Sequence, residues 1–237
     1  MTLIKEKSEE FNLEKTLSSG LTKGKLMKDT IHLSFGEEVG NAVSHGVMMF
    51  VFLFLLPFLS VYAYQKNGWI GTIGISVYAI CMILMFGGSC LYHIMPYDTP
   101  WKLVFRKLDH ISILLAIAGT YTPICLSVLR GWAGWTILAI EWICVLAGVL
   151  LKSLSRYSHP VLSLVLYLAM GWMAVFVLPQ CWKQGGPMFV GLMLAGGLCY
   201  TIGTIFYTRK KPYCHFIWHL WIALAALIFL GAIVFYL

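Results

Sequence analysis

From residue 39 to the last residue, the chain is an almost unbroken series of apolar runs, each about 20 residues long. A bilayer core of about 30 Å demands a helix of that length, because hydrocarbon offers no partner for an unpaired backbone group. Seven such windows occur, at 39–64, 69–95, 108–129, 132–151, 160–178, 187–207 and 213–237. The expected fold class is therefore all-α: an integral membrane protein built as a seven-transmembrane-helix bundle. A polar segment, 1–38, precedes a helical domain, 39–237. At 59% hydrophobic and 11% charged residues, with mean hydropathy +0.81, a water-soluble core of this length could not hide the apolar surface.

Orientation follows from the basic residues between the windows. Fourteen Lys and Arg fall in the first segment and in the loops after windows two, four and six; only Lys66, Arg130 and Lys183 lie on the other side. Positive charge stays inside, so the N-terminus is expected in the cytoplasm and the C-terminus outside. The same count explains the net charge of +7 without nucleic acid. It also runs opposite to the topology of G-protein-coupled receptors. Residues 1–38 have no secretory-type apolar core and cleavage site, so the first hydrophobic window is expected to direct insertion and remain. Their scattered apolar residues suit an amphipathic helix on the inner membrane surface or a loose tail. Trp69, Trp101, Trp132, Trp182 and Tyr207 lie near window ends, as an interfacial aromatic belt requires. The seven cysteines have no spaced framework and read as small apolar filler.

Ionisable side chains are costly in hydrocarbon, so their positions are informative. Glu38, Asn41 and His45 open window one on a single helical face. Ser89 and His93 close window two, four residues apart. Asp109 and His110 open window three, and His215 and His219, also i and i+4, open window seven. All lie at one depth, in the inner leaflet. Singly, each has an ordinary reading: a helix-start acid, a serine bonded to its own helix, an aspartate paired with Lys107 or Arg106, an interfacial histidine. Together they suit a metal site. His93, His215 and His219 can supply three nitrogen ligands to zinc and leave a fourth position for water. Asp109 is placed to accept a proton or orient that water, with Ser89 beside it. His45 is either a ligand or, with Glu38 and Asn41, a supporting group. His110 is expected to face a neighbour or the headgroups, and His32 and His159 to lie in loops. Glu141, near the middle of window four, stands apart; it is expected to be protonated and hydrogen-bonded, the alternative being part of an ion or proton path.

The segments EEVGNAVSHG, GGSCLYHIMP, KLDHISILLAIAGTYTP, YLAMGW, GGLCYTIGTIFY and HFIWHLW, in that order from about residue 34 onward, resemble the hemolysin III family, the bacterial branch of the progestin and adiponectin receptor superfamily. The resemblance implies seven membrane helices with a cytoplasmic N-terminus in a bacterial plasma membrane. It implies zinc held by His93, His215 and His219, with Ser89 and Asp109 beside the water. It also links the chain to membrane hydrolases that include the alkaline ceramidases. Glu141 belongs to none of these motifs.

Four functions compete. A zinc-dependent hydrolase of lipid amides or esters, adjusting membrane lipids, uses the whole cluster. A receptor or lipid sensor with structural zinc would more usually have four protein ligands. A pore-forming cytolysin, as the family name suggests, would need a soluble form that this composition disfavours. An ion or proton transporter would rest on Glu141 alone.

Overall fold

The structure, a computed structural model, describes residues 32–97, 99–154 and 160–236. Most of the N-terminal segment, expected as an amphipathic surface helix or a loose tail, and His159 lie outside them. Among the described residues the chain is all helix, with no strand.

α1 (Phe35–Ile94) is sixty residues long. Drawn straight it would reach about 90 Å, three times the hydrocarbon thickness. It folds back instead. Asn67 and Gly68 leave helical geometry, and Gly68 takes φ +60°, ψ −151°, a conformation closed to a residue with a Cβ. The arms 35–66 and 69–94 then run side by side. Ser60 Oγ meets Ser76 Oγ at 2.9 Å near the turn, and Glu38 meets His93 at the far end. Windows one and two are these two arms.

α2 (Pro100–Pro123) opens with Pro100 and is capped by Thr99, whose Oγ1 accepts from Lys102 N–H at 3.3 Å. Pro123 has no N–H to continue the ladder, and the chain passes into a π-turn, Ile124–Val128. α3 (Trp132–Leu154) follows. α4 (Pro160–Gly171) and a 3-10 turn, Met173–Val177, lead into α5 (Leu178–Tyr207), which breaks at Gly186 (φ +78°). Trp172 Nε1–H donates to Thr201 Oγ1 at 3.0 Å, so the chain before this break lies alongside the chain after it. α6 (Cys214–Tyr236) ends the bundle. Among the described residues, five helical stretches are thus long and apolar enough to cross a membrane: Phe35–Ile94, Pro100–Val128, Trp132–Leu154, Pro160–Tyr207 and Cys214–Tyr236.

α2 is the central helix. Leu114, Ala116, Ala118, Gly119, Thr120, Tyr121 and Thr122 are all buried, the small ones admitting close neighbours. Phe52, Ile75, Tyr78, Met82 and Phe86 of α1 form the core with Ala225 and Ala226 of α6, and Tyr78 O–H donates to the Ala226 carbonyl at 2.7 Å. The outer faces carry Phe54, Phe58, Ile143, Leu150, Val161 and Phe176, all exposed. A surface so apolar is matched by lipid, not water. Trp69, Trp101, Trp132 and Trp182 point outward, as a belt requires. The seven cysteines are free thiols.

Candidate metal centre

Two helix starts build one side of the site. Ser34 caps α1: its Oγ accepts from Glu37 N–H at 3.3 Å, and Glu37 Oε2 accepts from Ser34 N–H at 3.2 Å, a reciprocal capping box. The other oxygen of Glu37 accepts from the backbone N–H of Tyr213, which sits at φ +60° just before α6. One carboxylate therefore joins the first turn of α1 to the first turn of α6. Gly40 lets the helices close further, since a Cβ there would stand 3.1 Å from the Phe216 ring. The i, i+4 spacing then turns His215 and His219 toward α1.

His93 reaches the same place from the end of the returning arm. Its ring centroid is 5.3 Å from that of His215 and 4.9 Å from that of His219, and the latter two are 4.9 Å apart. One nitrogen from each of the three rings lies within 4.8 Å of the others. The sequence expectation of His93, His215 and His219 as a group is met geometrically.

Glu38 fixes which nitrogen of His93 is free. Its Oε2 contacts His93 Nδ1, while its Oε1 accepts from Lys102 Nζ at 2.9 Å. A carboxylate facing an ammonium is an acceptor only, so Nδ1 carries the proton and donates. His93 Nε2, buried and without a hydrogen-bond partner among the described residues, then presents a lone pair to the other rings. A protonated Nδ1 cannot accept from Asn41, whose Nδ2 lies 3.5 Å away. Turning the Asn41 amide brings its buried, unpartnered Oδ1 to that nitrogen. His219 Nδ1 is likewise buried and unpartnered among the described residues. An orphaned buried polar atom costs about 1–3 kcal/mol, a cost a cation among these nitrogens would remove. The donor set fits zinc, though imidazole also suits copper, iron and nickel.

His45 does not converge with the triad edge-on. It stacks on His219, centroids 3.7 Å apart and planes 18° from parallel, with the Phe86 ring edge-on at 4.9 Å. That is a supporting position, and both its ring nitrogens are buried without a hydrogen-bond partner among the described residues. Ser89 is buried one turn before His93. α2 crosses beside it: a Cβ at Gly88 would stand 3.9 Å from Asp109 Cα. Asp109 is partly buried, within Coulombic reach of the phenols of Tyr92, Tyr167 and Tyr207. Among the described residues, neither Ser89 nor Asp109 is hydrogen-bonded to the three histidines. His110 turns away, bonded through Nδ1 to the Arg106 carbonyl at 2.6 Å.

Glu141 stands apart, as its position in the fourth window implies. It lies on the buried face of α3 with Ile137 and Val145 and is 0% exposed. The expected hydrogen bond is not found: neither carboxyl oxygen has a partner among the described residues. Tyr121, its phenolic neighbour, spends its one proton on the Gly171 carbonyl at 2.9 Å and accepts from Ala174 N–H at 2.8 Å. Replacing Glu141 by Met, of similar length and apolar, is expected to stabilise the protein by about 1–3 kcal/mol. A higher unfolding temperature in detergent checks this; a lower one would give the carboxyl a partner or a task.

Lys102, Glu37 and the Tyr92–Tyr97 pair belong to the site but do not stand out in the sequence. The Ser34–Glu37 spacing is a legible capping signal. Lys102 is legible only as one more inner-leaflet cation, because its partners come from other helices.

A family profile for haemolysin-III related proteins matches residues 33–230. Hemolysin-3 of Bacillus cereus is 33% identical over 201 residues, covering 84% of this chain and 91% of the relative. The Hemolysin-3 homolog of Bacillus subtilis (strain 168) is 33% identical over 184 residues, 77% and 86% of the two chains. The human Monocyte to macrophage differentiation factor is 27% identical over 167 residues, 66% and 67% of the two chains, and extends the likeness to the wider superfamily. With these matches running over an apolar helical bundle, the chain belongs to the hemolysin III family of multi-pass membrane proteins.

Proposed function

We propose that this protein is a zinc-dependent hydrolase of amide or ester bonds in membrane lipids. In this reading it has seven passes, with the N-terminus in the cytoplasm and the C-terminus outside. The folding back of α1 at Gly68 and of the 160–207 stretch at Gly186 supports seven crossings from five helical stretches. The distribution of fourteen inner against three outer basic residues supports the orientation.

One observation carries the reading. Three imidazoles from two helices bring a nitrogen each within 4.8 Å, in a chain whose outer faces suit lipid. Three protein ligands are the usual complement of a catalytic zinc site and one short of a structural one. His93, His215 and His219 would hold the ion, and when bound it supplies Lewis-acid polarisation of a carbonyl and of water. Asp109 takes the proton of the attacking water. Ser89 Oγ–H donates to the carbonyl oxygen as negative charge develops there. Glu38 holds the His93 ring, and the apolar flanks let acyl chains approach sideways from the bilayer.

The test is fatty-acid release from long-chain lipid amides and esters by zinc-loaded protein in lipid nanodiscs. Asp109→Asn is expected to lower the rate by about 10²–10⁴-fold, the span of a lost general base. No release from any such lipid by protein that holds its metal would overturn the hydrolase and favour a lipid sensor. The names of the Bacillus relatives carry a second reading, lysis of membranes. Dye release from liposomes by detergent-free protein added outside would support it.

A further inference from the structure

The geometry points to Lys102 as a positioning residue of the metal centre, acting through Glu38 on His93. Lys102 is 1% exposed, rare for a lysine. Its ammonium is held by Glu38 Oε1 at 2.9 Å and lies 4.5 Å and 4.4 Å from the ring centroids of Tyr92 and Tyr97. Two aromatic faces and one carboxylate enclose the cation. The cage itself is anchored. Tyr97 accepts at its hydroxyl from Leu33 N–H at 2.9 Å, and the Thr99 cap fixes the turn that bears Lys102.

A buried ion pair of this kind seldom adds stability over an apolar replacement, because both charges have been taken from water. What this one does, beside a Tyr97 hydroxyl also bonded to Glu38, is divide the carboxylate. Lys102 occupies Oε1, leaving Oε2 to His93 Nδ1. The ring is thereby held in one tautomer and one orientation, with Nε2 turned to His215 and His219. Groups that grip a metal-ligating histidine through its far nitrogen commonly govern affinity as strongly as 10–100-fold. Lys102 stands one residue further out and links the first turn of α2 to both arms of α1 at the centre. This inference rests on the metal-centre reading.

The experiment compares wild type with Lys102→Met and with Lys102→Gln, whose neutral amide can still donate toward Glu38 if the methionine variant folds poorly. Zinc affinity is measured by chelator competition, the visible ligand-field absorption with cobalt in place of zinc, and the unfolding temperature without metal. Each folded variant is expected to bind zinc about 10–100-fold more weakly and to shift the cobalt band. A merely structural lysine would move the metal-free unfolding temperature and leave affinity and spectrum unchanged, and that result overturns the inference alone. Absence of metal from wild type overturns the metal centre and the inference with it.

Discussion

His219→Ala is expected to leave the purified protein with background zinc, while wild type carries roughly one ion per chain, the complement of a single mononuclear site. His219 is among the most buried side chains in the bundle, at 2% exposure. It touches both other members of the triad and lies under the His45 ring. Removing it leaves two ligands and exposes the His93 lone pair to a void. The loss should therefore exceed the ~10–100-fold typical of a supporting group, which is what His45→Ala should show. His110→Ala, whose ring bonds to the Arg106 carbonyl instead, should retain full metal content. Elemental analysis of the four proteins decides the matter. Zinc at wild-type level in His219→Ala, or none in wild type, would remove the metal centre. An ion held by the triad would stabilise only the folded chain that binds it, so chelation should lower the unfolding temperature of wild type and leave that of His219→Ala unmoved.

The triad was legible because its signals are local. His215 and His219 sit four residues apart, Ser89 and His93 likewise, and helical spacing alone turns each pair to one face. Charge bias then put both pairs at one end of the bundle. The gaps between windows one and two and between windows five and six were legible, but not the glycines that break the helical ladder there, Gly68 and Gly186, both at positive φ. What could not be read is what distant chain segments do to one another. Glu37 announces a cap through Ser34, but its second oxygen is used by a backbone N–H 176 residues away. Lys102 counts toward the positive-inside bias exactly as an exposed lysine would; only the convergence of Tyr92, Tyr97 and Glu38 reveals it as buried. The hydrogen bond expected for Glu141 failed for the same reason, since Tyr121 had already committed its proton elsewhere.

Gly134→Ala is expected to be the most damaging small substitution in the bundle. A Cβ at Gly134 would fall far inside contact distance of the Leu129 carbonyl oxygen and 2.7 Å from that of Cys125. Both obstacles are backbone, so no rotamer change relieves them. Leu129 N–H is bonded to the Ile124 carbonyl at 2.8 Å across the π-turn, and that turn would have to open for the methyl to fit. The π-turn exists because Pro123 ends the normal ladder, and it sets where α3 begins against α2. Disturbing it moves the helix whose buried face carries Ile137, Glu141 and Val145. A cost on the order of 4 kcal/mol is expected, at the upper end for single substitutions and a large share of a typical domain's stability. Gly191→Ala supplies the comparison: the same methyl there meets nothing within 4 Å, and helix propensity favours it by up to about 1 kcal/mol. Thermal unfolding in detergent should therefore fall sharply for the first variant and hold or rise for the second. Equal stability of the two would mean that α3 does not meet the π-turn as closely as these positions require.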